Sequence, residues 1–415
     1  MTRLAYHGGT PIRTAPWPSW PIRDEREIKA LDDVARSGQW GRLCENSRVA
    51  EFEKKFAAYQ DAQFGIAVTN GTAALTIALK AAGIDIGDEV IVPGYTFIAT
   101  ASCAVQNNAV PVFVDVEFDT LNIDPAAIEA AITPRTRAII PVHWAGRAAD
   151  MDRILAVASK HELAVIEDAC HGWGASWKNR KLGAIGDLGG VSFQSSKHIT
   201  AGEGGIILTD DEELAAKCFS YHHIGRIAGR PFYEHHRIGW NARMTEFQAA
   251  VLLVQLERLE EQAARREANA VFLSHQLAGI DGISLPRREP FMTRIAWHEF
   301  RLLYDEAAFG GVPRDAFVAS LKAEGIPAGR GYSHPLYKNP VFAEQRFGRL
   351  AEHVQFPDYA RMHLPNCERI CRDSVTISQL CLLGTREDML DIARAVRKIK
   401  NNAHALADRP AHACA

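Results

Sequence analysis

The stretch Val191–Gly205 reads VSFQSSKHITAGEGG, and it places one lysine, Lys197, between two strand-like segments. Its neighbours are serines, a threonine and glycines rather than other charged residues. A Gly-rich turn between strands is expected to face an interior or a cleft. Burial there lowers the pKa of an ammonium group and makes the neutral amine available for Schiff-base chemistry. A surface lysine beside a turn is the more ordinary interpretation of this stretch alone, so the rest of the chain decides.

The composition is that of an ordinary globular protein. The 415 residues are 47% apolar and 23% charged, with a net charge of −3, which gives no electrostatic case for nucleic acid or an anionic membrane. No apolar run is long enough to span a membrane, and the N-terminus lacks the apolar core of a secretory signal, so we expect a cytoplasmic protein. The eight cysteines are scattered without zinc-type spacing, which predicts reduced thiols and no metal site.

Short apolar segments alternate with helical segments from Phe64 to Thr209, which indicates an α/β fold with a mostly parallel sheet. A long amphipathic helix starts near Thr245, and the remainder has the pattern of an α+β unit. The predicted organisation is an arm over residues 1–23, a large domain over 24–265, a small domain over 266–400 and a disordered tail over 401–415.

Three further features lie at the ends of predicted strands. The turn Gly71–Ala73 opens a helix and offers free N–H groups to an anion, Asp168 ends an apolar strand, and Phe97 follows another strand. Each has a more ordinary interpretation, since many such turns bind no phosphate and such a carboxylate is more often a helix cap. Together with Lys197, however, they supply what pyridoxal 5'-phosphate (PLP) needs: an amine for its aldehyde, a carboxylate for its ring nitrogen, an anion cradle and a flat ring to stack on.

Several longer stretches resemble one family. TNGTAAL, GDEVIVPGYTFIAT, VIEDACHGWGA, SFQSSKHITAGEGG and NARMTEFQAAVLLVQLERL are similar to the DegT/StrS family of PLP-dependent sugar aminotransferases, and the resemblance covers about residues 15–400. It implies fold type I, as in aspartate aminotransferase, with a seven-stranded, mostly parallel sheet and a smaller C-terminal domain.

The resemblance also implies roles for individual residues. Lys197 would form the Schiff base and shuttle a proton, and Asp168 would pair with the pyridinium nitrogen. The remaining cofactor-binding positions implied are Gly71, Thr72, Ala73, Phe97, His171, Ser192 and Asn241, of which Asn241 would reach the phosphate in the neighbouring subunit of a homodimer. Arg243 would line the same seam and is a candidate substrate contact. Tyr332 and His334 are candidate contacts for substrate hydroxyls, although a structural turn explains those two equally well.

The expected reaction is ping-pong transamination from L-glutamine or L-glutamate to a keto-cyclitol or keto-sugar, in antibiotic or amino-sugar biosynthesis. Gln194 stands where nucleotide-sugar members have histidine, and the WPSWP arm and HPLYKNPVF resemble the branch that aminates scyllo-inosose or makes aminohydroxybenzoate. A bifunctional enzyme of the aminohydroxybenzoate type and a nucleotide-sugar aminotransferase stay open as alternatives. A sugar dehydratase is disfavoured because Lys197 is present, and a PLP-binding regulator because no DNA-binding domain is visible.

Overall fold

The computed structural model describes residues 3–407, and a seven-stranded sheet forms its centre. The strands are β1 (Phe64–Val68), β2 (Glu89–Pro93), β3 (Val110–Val114), β4 (Thr136–Ile139), β5 (Ala164–Asp168), β6 (Ser176–Trp177), β7 (Arg180–Lys181), β8 (Leu188–Ser192), β9 (Gly205–Thr209), β10 (Ile283–Ser284), β11 (Met292–Arg294), β12 (Glu299–Tyr304), β13 (Ala328–Gly329) and β14 (Ser374–Ser378). The central sheet has the order β1-β9-β8-β5-β4-β2-β3, and only β9 runs against its neighbours. The prediction of an α/β fold with a mostly parallel seven-stranded sheet is confirmed.

Helices connect and cover these strands. They are α1 (Glu25–Ser37), α2 (Arg48–Tyr59), α3 (Gly71–Ala81), α4 (Ala99–Gln106), α5 (Pro125–Ala130), α6 (Met151–Lys160), α7 (Glu212–His222), α8 (Glu246–Leu277), α9 (Arg314–Ala323), α10 (Pro340–Ala343), α11 (Leu350–His353), α12 (Pro365–Asp373), α13 (Arg386–Asn401) and α14 (His404–Ala407). Short 3-10 turns lie at Ala5–His7, Trp144–Gly146, Leu336–Lys338, Tyr359–Arg361 and Cys381–Leu383. Within residues 3–407, no helix combines the length and the apolar composition that a membrane span requires.

The register at one edge of the central sheet brings several chain segments together. Gly205, the first residue of β9, pairs with Ser192 on one side and with Val68 on the other. The parallel strands β1, β5 and β8 end at this edge, so their following loops meet there. In an open parallel sheet, ligands bind at such an edge, where the carboxyl ends of the strands emerge.

A second sheet, antiparallel with the order β10-β12-β14-β13, forms the core of the C-terminal part. One buried apolar cluster contains residues of both sheets, including Ile91 and Ile139 from the central sheet and Phe300 and Ile377 from the second. The predicted boundary at residues 265 and 266 falls inside α8, a continuous helix of 32 residues. The amphipathic pattern therefore identified the helix that connects the two parts but placed the boundary 12 residues before the end of that helix at Leu277.

The described parts of the arm and of the predicted tail contact the C-terminal part. In the arm, the indole N–H of Trp17 donates to the carbonyl oxygen of Gly325 at 2.8 Å, and Arg13 forms an ion pair with Asp388. The predicted disorder of the tail is wrong for residues 401–407, because the chain continues into α14 and Leu406 is buried. The rest of the predicted tail, residues 408–415, lies outside the described residues.

Candidate active site

A cleft of about 730 Å³ opens at the edge of the central sheet where β1, β5 and β8 end. Most of the predicted site residues meet there, although they come from separate parts of the chain. The lining residues are Asn70, Gly71, Thr72, Thr96, Phe97, Ala99, Val142, Asp168, Cys170, His171, Ser192, Gln194, Ser196, Lys197, Glu203, His298, Glu299 and Tyr332.

Lys197 lies on the loop between β8 and β9, and its side chain enters this cleft. Its backbone N–H donates to the carbonyl oxygen of Gln194 at 2.8 Å, which closes a turn, and its Nζ atom lies 5.8 Å from the ring centre of Trp173. Burial lowers the pKa of the ammonium, and the nearby carboxylate of Asp168 opposes this shift only in part. The neutral amine of Lys197 therefore forms more readily than that of a surface lysine.

Asp168 is buried at the end of β5, and both of its carboxylate oxygens are held. Oδ2 accepts a hydrogen bond from the hydroxyl of Thr100 at 2.7 Å, and Oδ1 accepts one from the backbone N–H of Cys170 at 3.2 Å. The Thr100 hydroxyl lies 2.9 Å from the Thr96 hydroxyl. Two donors fix the carboxylate in one orientation, with its negative charge facing the cleft.

The start of α3 forms a cradle for an anion. Asn70 caps the helix by accepting the N–H of Ala73 at 2.8 Å. A Cβ atom on Gly71 would lie 2.8 Å from Cβ of Ser192, so only glycine allows the helix to approach β8 this closely. The Ser192 side chain therefore lies beside the first turn of α3, where the backbone N–H groups and the helix dipole favour negative charge.

Three histidines lie on one side of Lys197. The rings of His171 and His298 stack with centroids 4.2 Å apart, and His198 is 5.7 Å from His298. Burial, followed by nearby positive charge, lowers the pKa of all three well below the ordinary histidine value, so they are neutral at pH 7. Nδ1 of His171 accepts the N–H of Ala145 at 3.3 Å, which leaves the ring proton on Nε2.

Phe97, Tyr332 and Glu299 form the outer wall of the cleft. Phe97 is 57% exposed, a high value for a phenylalanine, so its ring is available to cover a flat ligand. Tyr332 packs against Tyr95, and burial raises the pKa of its phenol well above the ordinary value. The carboxylate of Glu299 accepts from Arg301 at 2.7 Å.

Comparison with known proteins agrees with this geometry. Residues 21–394 match the DegT/DnrJ/EryC1/StrS aminotransferase family. The chain belongs to this family. It is 40% identical to the L-glutamine:2-deoxy-scyllo-inosose aminotransferase of Streptoalloteichus tenebrarius, over 95% of this chain and 97% of that protein.

Solved structures of relatives have the same fold as this chain. The crystal structure of 3-amino-5-hydroxybenzoic acid synthase matches with a TM-score of 0.85 at 34% identity, over 95% of this chain and 100% of the other. The structure of NtdA from Bacillus subtilis with bound cofactor PMP matches with a TM-score of 0.80 at 27% identity, over 94% of this chain and 86% of the other. The predicted fold type I and the predicted activity, that of a PLP-dependent aminotransferase, are confirmed.

Four predicted site residues of this aminotransferase lie outside the lining of the cleft. The N–H of Ala73 is occupied by the Asn70 cap, so the first turn presents Gly71 and Thr72 instead. Asn241 is exposed. Arg243 donates to Nδ1 of His223 at 2.9 Å, and His334 is exposed with its Nδ1 atom 2.8 Å from the Ser333 hydroxyl.

Other residues of the site were not predicted from the sequence. Thr100, which holds Asp168, lies one residue into α4, and Glu299 and His298 lie at the start of β12, about 100 residues beyond Lys197. Trp173 donates its indole N–H to the carbonyl oxygen of Ser192 and lies beneath Lys197.

Proposed function

We propose that this aminotransferase binds PLP at the described cleft and transfers the amino group of L-glutamine to a keto-cyclitol. The identity to the 2-deoxy-scyllo-inosose aminotransferase supports the two substrates. The structural observation that carries the proposal is the charge of the cleft. Among the residues that line it, Lys197 is the one lysine or arginine, whereas Asp168, Glu203 and Glu299 are acidic.

The residues present fit PLP. The close approach of Gly71 to Ser192 leaves a cradle at the start of α3 that suits a phosphate, with the N–H groups of Gly71 and Thr72 and the Ser192 hydroxyl as donors. The fixed carboxylate of Asp168 suits a protonated ring nitrogen, and the exposed face of Phe97 suits the ring. When bound, PLP withdraws electrons from the bond between Cα and its hydrogen in the amino donor.

Each residue then has a defined task. Lys197 would hold the cofactor through its aldehyde carbon, and its neutral amine would accept and return the proton at Cα of the substrate. The carboxylate of Asp168 would pair with the ring nitrogen and favour its protonated form. His171 is neutral, and its Nε2–H is available to the ring hydroxyl, because its Nδ1 atom already accepts the Ala145 N–H.

The same charge pattern separates the acceptor classes. A nucleotide-linked sugar carries a diphosphate, which proteins usually bind with arginine or lysine. A keto-cyclitol carries one carbonyl and several hydroxyls but no charge, and its hydroxyls can pair with carboxylates, amides and phenols such as those of Glu299, Gln194 and Tyr332. The lining of this cleft therefore favours an uncharged, polyhydroxylated ketone.

We also propose that the enzyme is a homodimer in the cytoplasm. Asn241 and Arg243 are not among the residues that line the cleft of their own chain, although Arg243 pairs with Val68 at the end of β1. This position fits residues that approach the cofactor phosphate of a neighbouring subunit. The seven cysteines within the described residues are free thiols, in accord with a reducing compartment.

The decisive experiment separates the two half-reactions. The PLP-loaded enzyme is mixed with L-glutamine, and the change in cofactor absorbance is followed. The amino form is then mixed with scyllo-inosose, 2-deoxy-scyllo-inosose or a nucleotide diphosphate keto-sugar. We expect reaction with the cyclitols only. A nucleotide keto-sugar as the best acceptor would overturn the proposal.

Aromatisation is a second candidate, because 3-amino-5-hydroxybenzoic acid synthase has a very similar structure. This reaction would release water from an aminated ring and yield an aromatic product. The ultraviolet absorbance of the aromatic product distinguishes this reaction from simple transamination in the same assay. Formation of an aromatic product from a cyclic keto acid, without reaction of the inososes, would favour this second function.

A further inference from the structure

A second cleft, of about 710 Å³, adjoins the first, and Ser196, His298 and Glu299 line both. Its other walls come from the arm, through Trp20, and from the C-terminal part, through residues of α9, β13, β14 and the turn after β14. These residues are Lys322, Pro327, Ala328, Gly329, Thr376, Ile377, Ser378, Gln379 and Leu380. A substrate held beside Lys197 can therefore extend into this space.

The arm is attached directly to the loop that carries Lys197. The indole N–H of Trp20 donates to the carbonyl oxygen of Ser195 at 2.9 Å. On its other side, the ring of Trp20 lies 5.5 Å from the guanidinium carbon of Arg266. The arm thus forms one wall of the second cleft.

Gln379 is held so that its amide presents hydrogen-bond donors. Its Oε1 atom accepts from Nε of Arg266 at 2.9 Å, and the side chain is 5% exposed at the wall of the second cleft. Because the oxygen is committed to Arg266, the NH2 group is the part left for a ligand. An amide fixed in this way binds an oxygen acceptor and not a donor.

Arg266 adds positive charge behind this amide. It is fully buried on α8, and its two Nη atoms have no hydrogen-bond partner among residues 3–407. Burial lowers the pKa of the guanidinium to about 9, so it remains charged at pH 7. A buried positive charge next to Gln379 strengthens the attraction of the NH2 group for an anionic oxygen.

We propose that the second cleft binds the α-carboxylate of the amino donor, with the Gln379 amide in direct contact and Arg266 as its positioning residue. The inference rests on the proposed function and specifies its donor side. The first cleft is lined by three acidic side chains, which disfavour a further negative charge, so we place the carboxylate of the amino donor in the second cleft. The acceptor ketone carries no carboxylate and does not need this subsite. Lys322 adds a further cation at the wall of the second cleft.

The test is the isosteric substitution Gln379→Glu. Glutamate keeps the shape and pairs with Arg266, which preserves the buried contact, but it replaces the NH2 donor by a negatively charged oxygen. We expect the half-saturating concentration of L-glutamine to rise about tenfold or more, while the maximal rate of that half-reaction changes less. The acceptor half-reaction is expected to keep its wild-type half-saturating concentration.

A second measurement distinguishes recognition from structural damage. L-glutaminamide lacks the carboxylate, so the wild-type enzyme is expected to prefer L-glutamine and the Gln379→Glu variant to lose or reverse this preference. Arg266→Met is expected to weaken the same preference by freeing the amide. Gln379→Leu serves as the second variant if glutamate is not tolerated, and Gln39→Glu, on an exposed loop, is the matched control for added charge.

The outcomes separate this inference from the proposed function. If the wild-type enzyme does not react with L-glutamine, the proposed function fails. If it reacts but the variants keep the wild-type half-saturating concentration and donor preference, the carboxylate subsite is overturned. An equal rise for donor and acceptor also overturns it, because it indicates general damage to the site.

Discussion

The hydroxyl of Thr100 donates to Oδ2 of Asp168 at 2.7 Å, and this contact joins the first turn of α4 to the end of β5. Both residues are buried, so the hydrogen bond is shielded from water. Together with the Cys170 N–H, it fixes the plane of the carboxylate that we assign to the cofactor ring nitrogen.

Thr100→Val removes this donor and keeps the shape of the side chain. We expect kcat/KM to fall roughly tenfold to a hundredfold, because the carboxylate that we assign to the ring nitrogen loses a hydrogen bond. Both half-reactions should slow together, measured by stopped-flow absorbance. Thr100→Ser keeps the hydroxyl and should retain most of the rate; equal losses in the two variants would show that packing, not the hydrogen bond, is responsible.

Lys197→Arg tests the amine itself. Arginine preserves a positive charge but offers no neutral amine at neutral pH, so we expect turnover to vanish and the near-visible absorbance of the lysine-bound cofactor to be lost. Thermal unfolding of the cofactor-free protein should change little, since Lys197 forms no ion pair with any residue between 3 and 407. Retained turnover and absorbance would end the assignment.

Gly71→Ala tests the anion cradle. The added Cβ would lie 2.8 Å from Cβ of Ser192 and 3.0 Å from Sγ of Cys170, so α3 or β8 must shift. We expect the dissociation constant of PLP to rise about tenfold or more, measured by equilibrium dialysis. Gly41→Ala is the control, because it is exposed and a Cβ there would meet no atom within 4 Å. Equal retention of PLP by both variants would place the phosphate elsewhere.

The site residues that the sequence predicted correctly share one property. Gly71, Asp168 and Lys197 each follow a strand of the alternating pattern, and parallel strands bring their ends to one edge. Thr100 and Glu299 were missed because their place in the site depends on how α4 and β12 pack against that edge. No local sequence pattern predicts how these elements pack against the sheet.

The errors have equally specific causes. From the sequence, the Ala73 N–H was assigned to a ligand. In the structure the side chain of Asn70 accepts this N–H, so it is not free to bind a ligand. The boundary at residue 265 rests on the amphipathic helix that starts near Thr245, but this helix, α8, continues to Leu277. The prediction of disorder over residues 401–415 rests on their place at the end of the chain, yet Leu406 packs into the apolar cluster that contains Phe300 and Ile377.

Mixed dimers test whether two chains share each site. We expect the Lys197→Ala variant to be inactive and Asn241→Ala to retain PLP poorly. In a reassociated equimolar mixture, half of the dimers would carry both changes, one in each chain, and one of their two sites would be native. Activity should therefore recover to roughly a quarter of wild type at limiting PLP. No recovery, with mixed dimers confirmed by mass spectrometry, would argue against a shared site.

His198 provides a test of acid sensitivity. Its ring is fully buried, and burial lowers its pKa well below 6.5 in the folded protein, whereas the unfolded chain has the ordinary value. Below pH 6.5 the unfolded state therefore binds more protons than the folded state, and the free energy of unfolding falls as the pH falls. His198→Leu removes this contribution, so the cofactor-free variant should lose less stability than wild type between about pH 6.5 and pH 5. Urea unfolding across this range measures the slope, and His275→Leu, at an exposed position on α8, should keep the wild-type slope. Identical slopes for wild type and His198→Leu would show that His198 is not the source of the acid sensitivity.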